Sequence, residues 1–174
     1  MTQSLPNEFK TAMRRLATTV ALVAAGNERL SWRGMAVTAL TCVCVDPPVL
    51  ALCLNRESAI CQSLDLDVPF SVNLLAQRHH ALVPVFSGEV KGSERFNHGH
   101  WVHSPSGPPI LADAAASLLC VSSQTTPVHS HLLVLGEVRQ IVNDPAIDPL
   151  IWMDGMFAKA QAIPRPDVIR RTGQ

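Results

Sequence analysis

No stretch of this 174-residue chain approaches the roughly 20 consecutive apolar residues that a membrane-spanning helix needs. The opening residues, Met1 to Lys10, lack the basic start and apolar block of a signal peptide. The sequence therefore predicts a chain that stays in the cytoplasm. Excess charge is missing too: Lys plus Arg number 14 and Asp plus Glu number 14. That balance gives no reason to expect nucleic acid or an anionic membrane as partner. Two nucleotide-binding signatures are absent, the Gly-x-Gly-x-x-Gly that follows a first strand and the Gly-Lys-Ser/Thr of a phosphate loop. A nucleophile elbow with Asp and His partners is absent as well, which removes support for hydrolase chemistry. The chain shows no internal repeat and no low-complexity linker.

Metal-ligand spacing is also lacking. His98, His100 and His103 crowd one segment and His79-His80 lie upstream, but no Cys-x-x-Cys or matching carboxylate pair accompanies them. Zinc sites usually need such a set, so no metal is expected. The five cysteines (Cys42, Cys44, Cys53, Cys61 and Cys120) sit among apolar neighbours. In a reducing compartment they should be unpaired and pack as small hydrophobes.

What is present is a core. Apolar residues make up 47% of the chain, enough to argue against disorder. The length suits one domain over 1–174, with a core from about 9 to 157 and a polar tail from Pro164 to Gln174. Phe9, Met13 and Leu16 recur at helical spacing, with Pro6 at a first-turn position. Strand-like runs follow at Val20 to Ala25, Met35 to Val45 and Val49 to Leu54, punctuated by Gly26-Asn27 and by Asp46-Pro47-Pro48. Ser58 reads as the N-cap of a short helix over Ala59 to Leu64. Phe70 to Leu75 reads as a strand, Arg78 to Phe86 as a short helix, and Gly88 to Pro109 as a long loop. Ala114 to Ser122 and His131 to Val142 are further strands, and Ile151-Trp152-Met153 is a candidate to close the sheet. Six or seven strands without β-α-β alternation predict a mostly β fold, a closed or nearly closed antiparallel barrel with peripheral helices.

Several fragments, in order, carry more than their composition. They are Gly34-Met35-Ala36-Val37-Thr38-Ala39-Leu40-Thr41-Cys42-Val43-Cys44 with Asp46-Pro47-Pro48, then Leu52 to Ser58, then Phe70-Ser71-Val72-Asn73. Glu94-Arg95-Phe96, His131 with Gly136-Glu137-Val138, and Pro149 to Met153 complete the set. Together they resemble the flavin reductase-like family, FMN-binding split β-barrels that include the small reductase components of two-component flavin monooxygenases. The likeness runs from about Phe9 to Phe157.

The resemblance implies a homodimeric split barrel that reduces FMN or FAD with NADH or NADPH. It implies transfer of the reduced flavin to a monooxygenase or another acceptor. A non-catalytic flavin module and an oxidoreductase with tightly held FMN are the other readings. It places the flavin ring along Ala36, Val37, Thr38, Ala39, Cys42 and Val43, with Ser71 and Asn73 in the same cofactor set. The phosphate falls near Asn55, Arg56 and Ser58. There a helix start would offer free N–H groups, and Arg56 a charge-assisted contact. A capped surface helix beside an exposed arginine would look the same in sequence. Arg95 and Phe96 are implied close to the flavin, and His131 on its nicotinamide side as the candidate catalytic group. Here the chain has His129-Ser130-His131 where the family has Gly-Asp-His. Ala36, Cys42 and Cys44 stand where hydroxyl residues are common, which shifts ring recognition toward the backbone.

Overall fold

A computed structural model describes residues 4–104 and 107–164. The expected first helix forms as α1 (Leu5–Met13), with Pro6 in its first turn, where the missing N–H costs no hydrogen bond. None of its residues is buried. The strands are β1 (Thr18–Thr19), β2 (Ala21–Ala25), β3 (Arg33–Val37), β4 (Leu40–Val45), β5 (Pro48–Asn55), β6 (Pro69–Leu74) and β7 (Trp101–Ser104). They continue with β8 (Gly107–Leu111), β9 (Ala116–Val128), β10 (His131–Asn143), β11 (Leu150–Met153) and β12 (Met156–Lys159).

Seven of them make one antiparallel sheet in the order β3-β2-β6-β9-β10-β5-β4. Its two edge strands are neighbours in the chain, joined only by Thr38 and Ala39. A flat sheet of seven strands would hold those edges about 29 Å apart, whereas two linking residues reach roughly 10 Å. The sheet must therefore curl until its edges approach at this point. The Ala39 carbonyl accepts from Cys53 N at 3.1 Å, which carries the β4–β5 pairing into the link.

β2 shows how the curl is filled. Ala21, Val23 and Ala25 belong to a cluster with Leu52, Phe70, Val72 and Val134. Leu22 and Ala24 face a second cluster with Trp32, Phe86, Phe96 and Leu111. Alternation along a strand sends neighbouring side chains to opposite faces, so β2 is covered on both. The outer cover is a helical segment (3-10 turn Gln77–His79, α2 Leu82–Pro84, π turn Val85–Glu89), the 3-10 helix Gly92–Asn97 and the β7–β8 hairpin. Gly136 has a packing reason: a Cβ there would stand 2.5 Å from Phe70 Cζ.

The structure corrects several expectations. Met35 to Val45 is two strands, broken at Thr38-Ala39 where the sheet edges meet. Gly88 to Pro109 is no plain loop, because it contains the Gly92–Asn97 turn and the paired strands β7 and β8. Ser, His, Pro and Gly hid the alternation there. β9 runs on from Ser122 to Val128, through residues too exposed to show an apolar period. β11 pairs with β1 and β12 in a separate small sheet and does not close the large one. The expected helix after Ser58 shrinks to one 3-10 turn, Cys61–Ser63. Beyond Pro164, the expected polar tail lies outside the described residues. Among the described residues no helix is long and apolar enough to cross a membrane.

Candidate active site: a furrow along the third strand

Three adjoining depressions follow β3 and its junction with β4. The first, of about 330 Å³, lies between Gly34, Ala36, Ser58, Gly88 and Arg95. The second, of about 170 Å³, shares Ala36 and Ser87 with the first and adds Val37, Thr38 and Trp152. The third, of about 480 Å³, shares Thr38 and Trp152 with the second and adds Ala39, Lys10 and Arg14. The shared residues set the three side by side along β3 as one furrow of adjoining depressions. It follows the edge strand β3, where Gly34 and Ala36 are small.

Of the expected site residues, the furrow gathers Ala36, Val37, Thr38, Ala39, Ser58 and Arg95. Arg95 builds the wall of the first depression. Its guanidinium donates to the carbonyls of Gly34, on β3, and of Val90, the latter at 2.8 Å. Burial draws its pKa below the usual arginine value. Its Nε is buried with no acceptor among the described residues. Phe96 is buried beneath, edge-on to Phe86 at 5.2 Å and to Trp32 at 5.3 Å, so it supports the wall from inside. Gly34 is needed there, because a Cβ would stand 3.0 Å from both Phe86 and Phe96. Ser58 is not the N-cap of that turn, which is Ile60 with no side-chain cap; the Ser58 Oγ donates to Asn55 O at 2.6 Å and accepts from Cys61 N at 3.3 Å. A single 3-10 turn carries little macrodipole, so the helix-terminus argument for an anion here falls away.

Asn55, Arg56 and His131 meet one another at the tip of β5 and β10 and do not line the furrow. Asn55 and His131 are cross-strand partners. Arg56 N donates to Ser130 O at 3.0 Å, and Arg56 Nη1 to His129 O at 3.3 Å. His131 Nδ1 and Ser130 Oγ lie 3.0 Å apart. Cys42 lines a different, apolar groove with Leu40, Val45 and Ile141, and Val43 is exposed at a bulge of β4.

Ser71 and Asn73 are fully buried and fully engaged. Asn73 donates to Leu22 O at 3.1 Å and to Ser71 Oγ at 3.0 Å, and its Oδ1 accepts from Leu111 N and Ser117 Oγ. Ser71 Oγ donates to Pro109 O at 2.6 Å. These two residues bolt the β7–β8 hairpin to the sheet and reach no cleft.

The reading of the sequence overlooked Ser87, Gly88 and Gly92 in the first depression, and Lys10, Arg14 and Trp152 in the third. Only Trp152 had a signal, in the fragment Pro149 to Met153. All five cysteines are free, and the described residues hold no group of three His, Cys, Asp or Glu able to bind a metal.

Comparison with known proteins bears on this geometry. The flavin reductase like domain family matches residues 13–161. A flavin reductase (NADPH) of Lentzea aerocolonigenes is 38% identical over 87% of this chain and 88% of its own. The reductase component of an FADH2-dependent resorcinol hydroxylase from Rhizobium sp. is 32% identical over 91% and 89%. The NADH:FAD oxidoreductase of Streptomyces globisporus C-1027, solved in complex with NAD and FAD fragments, superposes with a TM-score of 0.80. It is 25% identical, over 94% of this chain and 96% of that one. A split-barrel architecture, a furrow along its β3 edge and a match over most of its length agree: this chain belongs to the flavin reductase-like family.

Proposed function

We propose that this chain is an NAD(P)H-dependent flavin reductase, a single functional unit that passes a hydride from the nicotinamide to FMN or FAD. The observation that carries the reading is the row of adjoining depressions along β3, with Ser58 and Arg95 at one end and Trp152 towards the other. The residues present fit a flavin. Arg95 Nε is a buried donor still lacking an acceptor, and the small residues Gly34, Ala36 and Ala39 leave the backbone approachable. A bound flavin would supply the redox chemistry, taking up the hydride and passing on electrons.

The chain's own residues do the placing. Backbone groups of Ala36, Val37, Thr38 and Ala39 address the ring edge, since Ala36 offers no hydroxyl. Ser58 and the Arg56 guanidinium address the phosphate, a charge-assisted contact, while Arg95 holds the wall beside it. Trp152 and Val83 keep the middle of the furrow apolar. The proposed place of His131 on the nicotinamide side rests on the family resemblance and not on the furrow, which it does not line. Reduced flavin then leaves for a monooxygenase, as the resorcinol hydroxylase relative suggests. Free cysteines throughout fit a reducing cytoplasm.

Purification tests the reading. The chain should oxidise NADH or NADPH when FMN or FAD is added and lose any yellow colour on dialysis. A protein that stays yellow and reduces no added flavin would contradict it.

A further inference from the structure

Cys42 and Cys44 stand where hydroxyl residues are common, yet neither lines the furrow. The cysteines of this chain are of different kinds. Cys61 and Cys120 are buried; burial pushes the Cys120 thiol up to about 12 and raises that of Cys61 against the opposing charge of Arg56. Thiols held protonated in this way are poor nucleophiles. Cys42 is exposed and Cys44 is half-buried. Both border one apolar groove of about 280 Å³, with Leu40, Val45, Pro48 and Ile141. Their strand, β4, is an edge of the large sheet and pairs with β5 alone.

The backbone suits a bond between the two. Two steps along a regular strand cover about 6.4–6.8 Å, the upper end of the roughly 4.4–6.8 Å between Cα atoms that a disulfide spans. β4 is not regular here. Cys42 pairs with Leu50 and Cys44 with Val49, so three residues of β4 face two of β5. Such a bulge bends the strand and draws its flanking residues together. The side chains lean the same way, toward the β4–β5 turn. Cys42 Sγ donates to Cys44 O at 3.7 Å, and Cys44 Sγ donates to Pro47 O at 2.9 Å.

We infer that Cys42 and Cys44 form a dithiol that hydrogen peroxide closes to a disulfide. The inference rests on the flavin reductase reading for its oxidant. Reduced flavin that meets dioxygen instead of an acceptor gives up two electrons and leaves oxidised flavin and hydrogen peroxide. The Cys42 thiolate attacks one peroxide oxygen, the O–O bond breaks, and the leaving hydroxide is protonated to water; Cys42 becomes a sulfenic acid. The Cys44 sulfur then displaces that hydroxyl as a second water, and the S–S bond forms. In sum, two thiols lose two electrons and two protons, and one peroxide becomes two waters.

Intact-chain mass spectrometry and thiol counts after unfolding read the bond. During aerobic turnover with NADH or NADPH and FMN, and no acceptor, the thiol count should fall from five to three. The mass should fall by about 2 Da, the two hydrogens lost. Catalase or exclusion of oxygen should prevent both changes, and a dithiol reductant should reverse them. Cys53→Ser should still show the loss of mass, whereas Cys42→Ser and Cys44→Ser should not. Those two serines supply hydroxyls outside both core clusters, so the variants should fold. Hydrogen peroxide added to the flavin-free chain separates the inference from the reading beneath it. Closure by added peroxide in a chain that oxidises neither nicotinamide upholds the dithiol and overturns the flavin reductase reading. Failure of added peroxide to close the bond overturns the inference, and so does a bridge mapped to any other pair of cysteines. Closure by added peroxide, but none in a turnover that generates peroxide, overturns the flavin as its source.

Discussion

Asn73 uses both its amide hydrogens and its carbonyl inside the fold, and this sets its role apart from the residues that line the furrow. Replacing it by Ala takes the side-chain acceptor from the Leu111 amide and the side-chain donor from the Leu22 carbonyl, while the Ser117 hydroxyl keeps Leu111 O at 3.2 Å. Each buried orphan costs about 1–3 kcal/mol, so Asn73→Ala should destabilise by roughly 2–5 kcal/mol in urea unfolding. Flavin affinity of the folded fraction should hold. The two arginines make opposite predictions. Arg56 is exposed and tied only to backbone at His129, so Arg56→Ala should weaken FMN by about 1.5–3 kcal/mol and leave riboflavin alone. Arg95 holds Gly34 on β3 to Val90, so Arg95→Ala should loosen the wall and weaken FMN and riboflavin together. Fluorescence titrations with both flavins decide between a phosphate contact and a wall residue. Ser-Val-Asn was legible in the sequence as a marked fragment, but its burial was not, because polar side chains at 0% exposure cannot be told from ligand contacts by type.

The strands on the core side of the sheet were legible because their apolar residues alternate or run unbroken, as Ala21–Ala25 does. The break at Thr38-Ala39 was not, since nothing local marks where a sheet's two edges meet; only the strand order reveals it. The β7–β8 hairpin escaped for a different reason. It lies outside the large sheet and is held by Ser71 and Asn73, so its own sequence needs little periodicity. Another tie between elements is Arg78, on the turn after β6. Its Nη2 donates to Asp144 Oδ2 at 2.8 Å and to the carbonyl of Asp113, and its Nη1 lies 3.9 Å from Asp148. Buried His79 places Nε2 3.1 Å from Asp113 Oδ2. Burial pushes the Asp113 carboxyl up, but the His79 hydrogen bond and charge, with Arg78, outweigh it and hold the pKa below the ordinary value. Asp144 is held low by the Ala146 amide and by Arg78. A depressed carboxylate pKa adds stability that is present above the unfolded value, about pH 4, and is lost as pH falls through the folded value. Arg78→Ala should therefore cost about 1–2 kcal/mol near neutrality and make the acid limb below about pH 4 shallower. An acid limb as steep as wild type would exclude the cluster as its source.

At the scale of the whole molecule, two apolar faces stand open in the isolated chain. One is the α1 face with Leu5, Phe9 and Met13; the other carries Val43, Val45 and Ile141 on β4 and β10. Patches of this kind mark association, so light scattering at micromolar concentration should return twice the chain mass. A monomer that binds flavin normally would exclude a dimer as part of the site. The central claim is hydride transfer in the β3 furrow, and anaerobic stopped-flow mixing tests it most directly. Oxidised FMN or FAD with the protein, mixed against NADH or NADPH, should lose its visible absorbance at a rate that saturates with the nicotinamide. Filling the furrow through Ala36→Leu should cut that rate at least about tenfold in a chain that still folds, equivalent to roughly 1.4 kcal/mol of lost transition-state binding. Bleaching no faster than in free solution, with both nicotinamides and both flavins, would contradict the account.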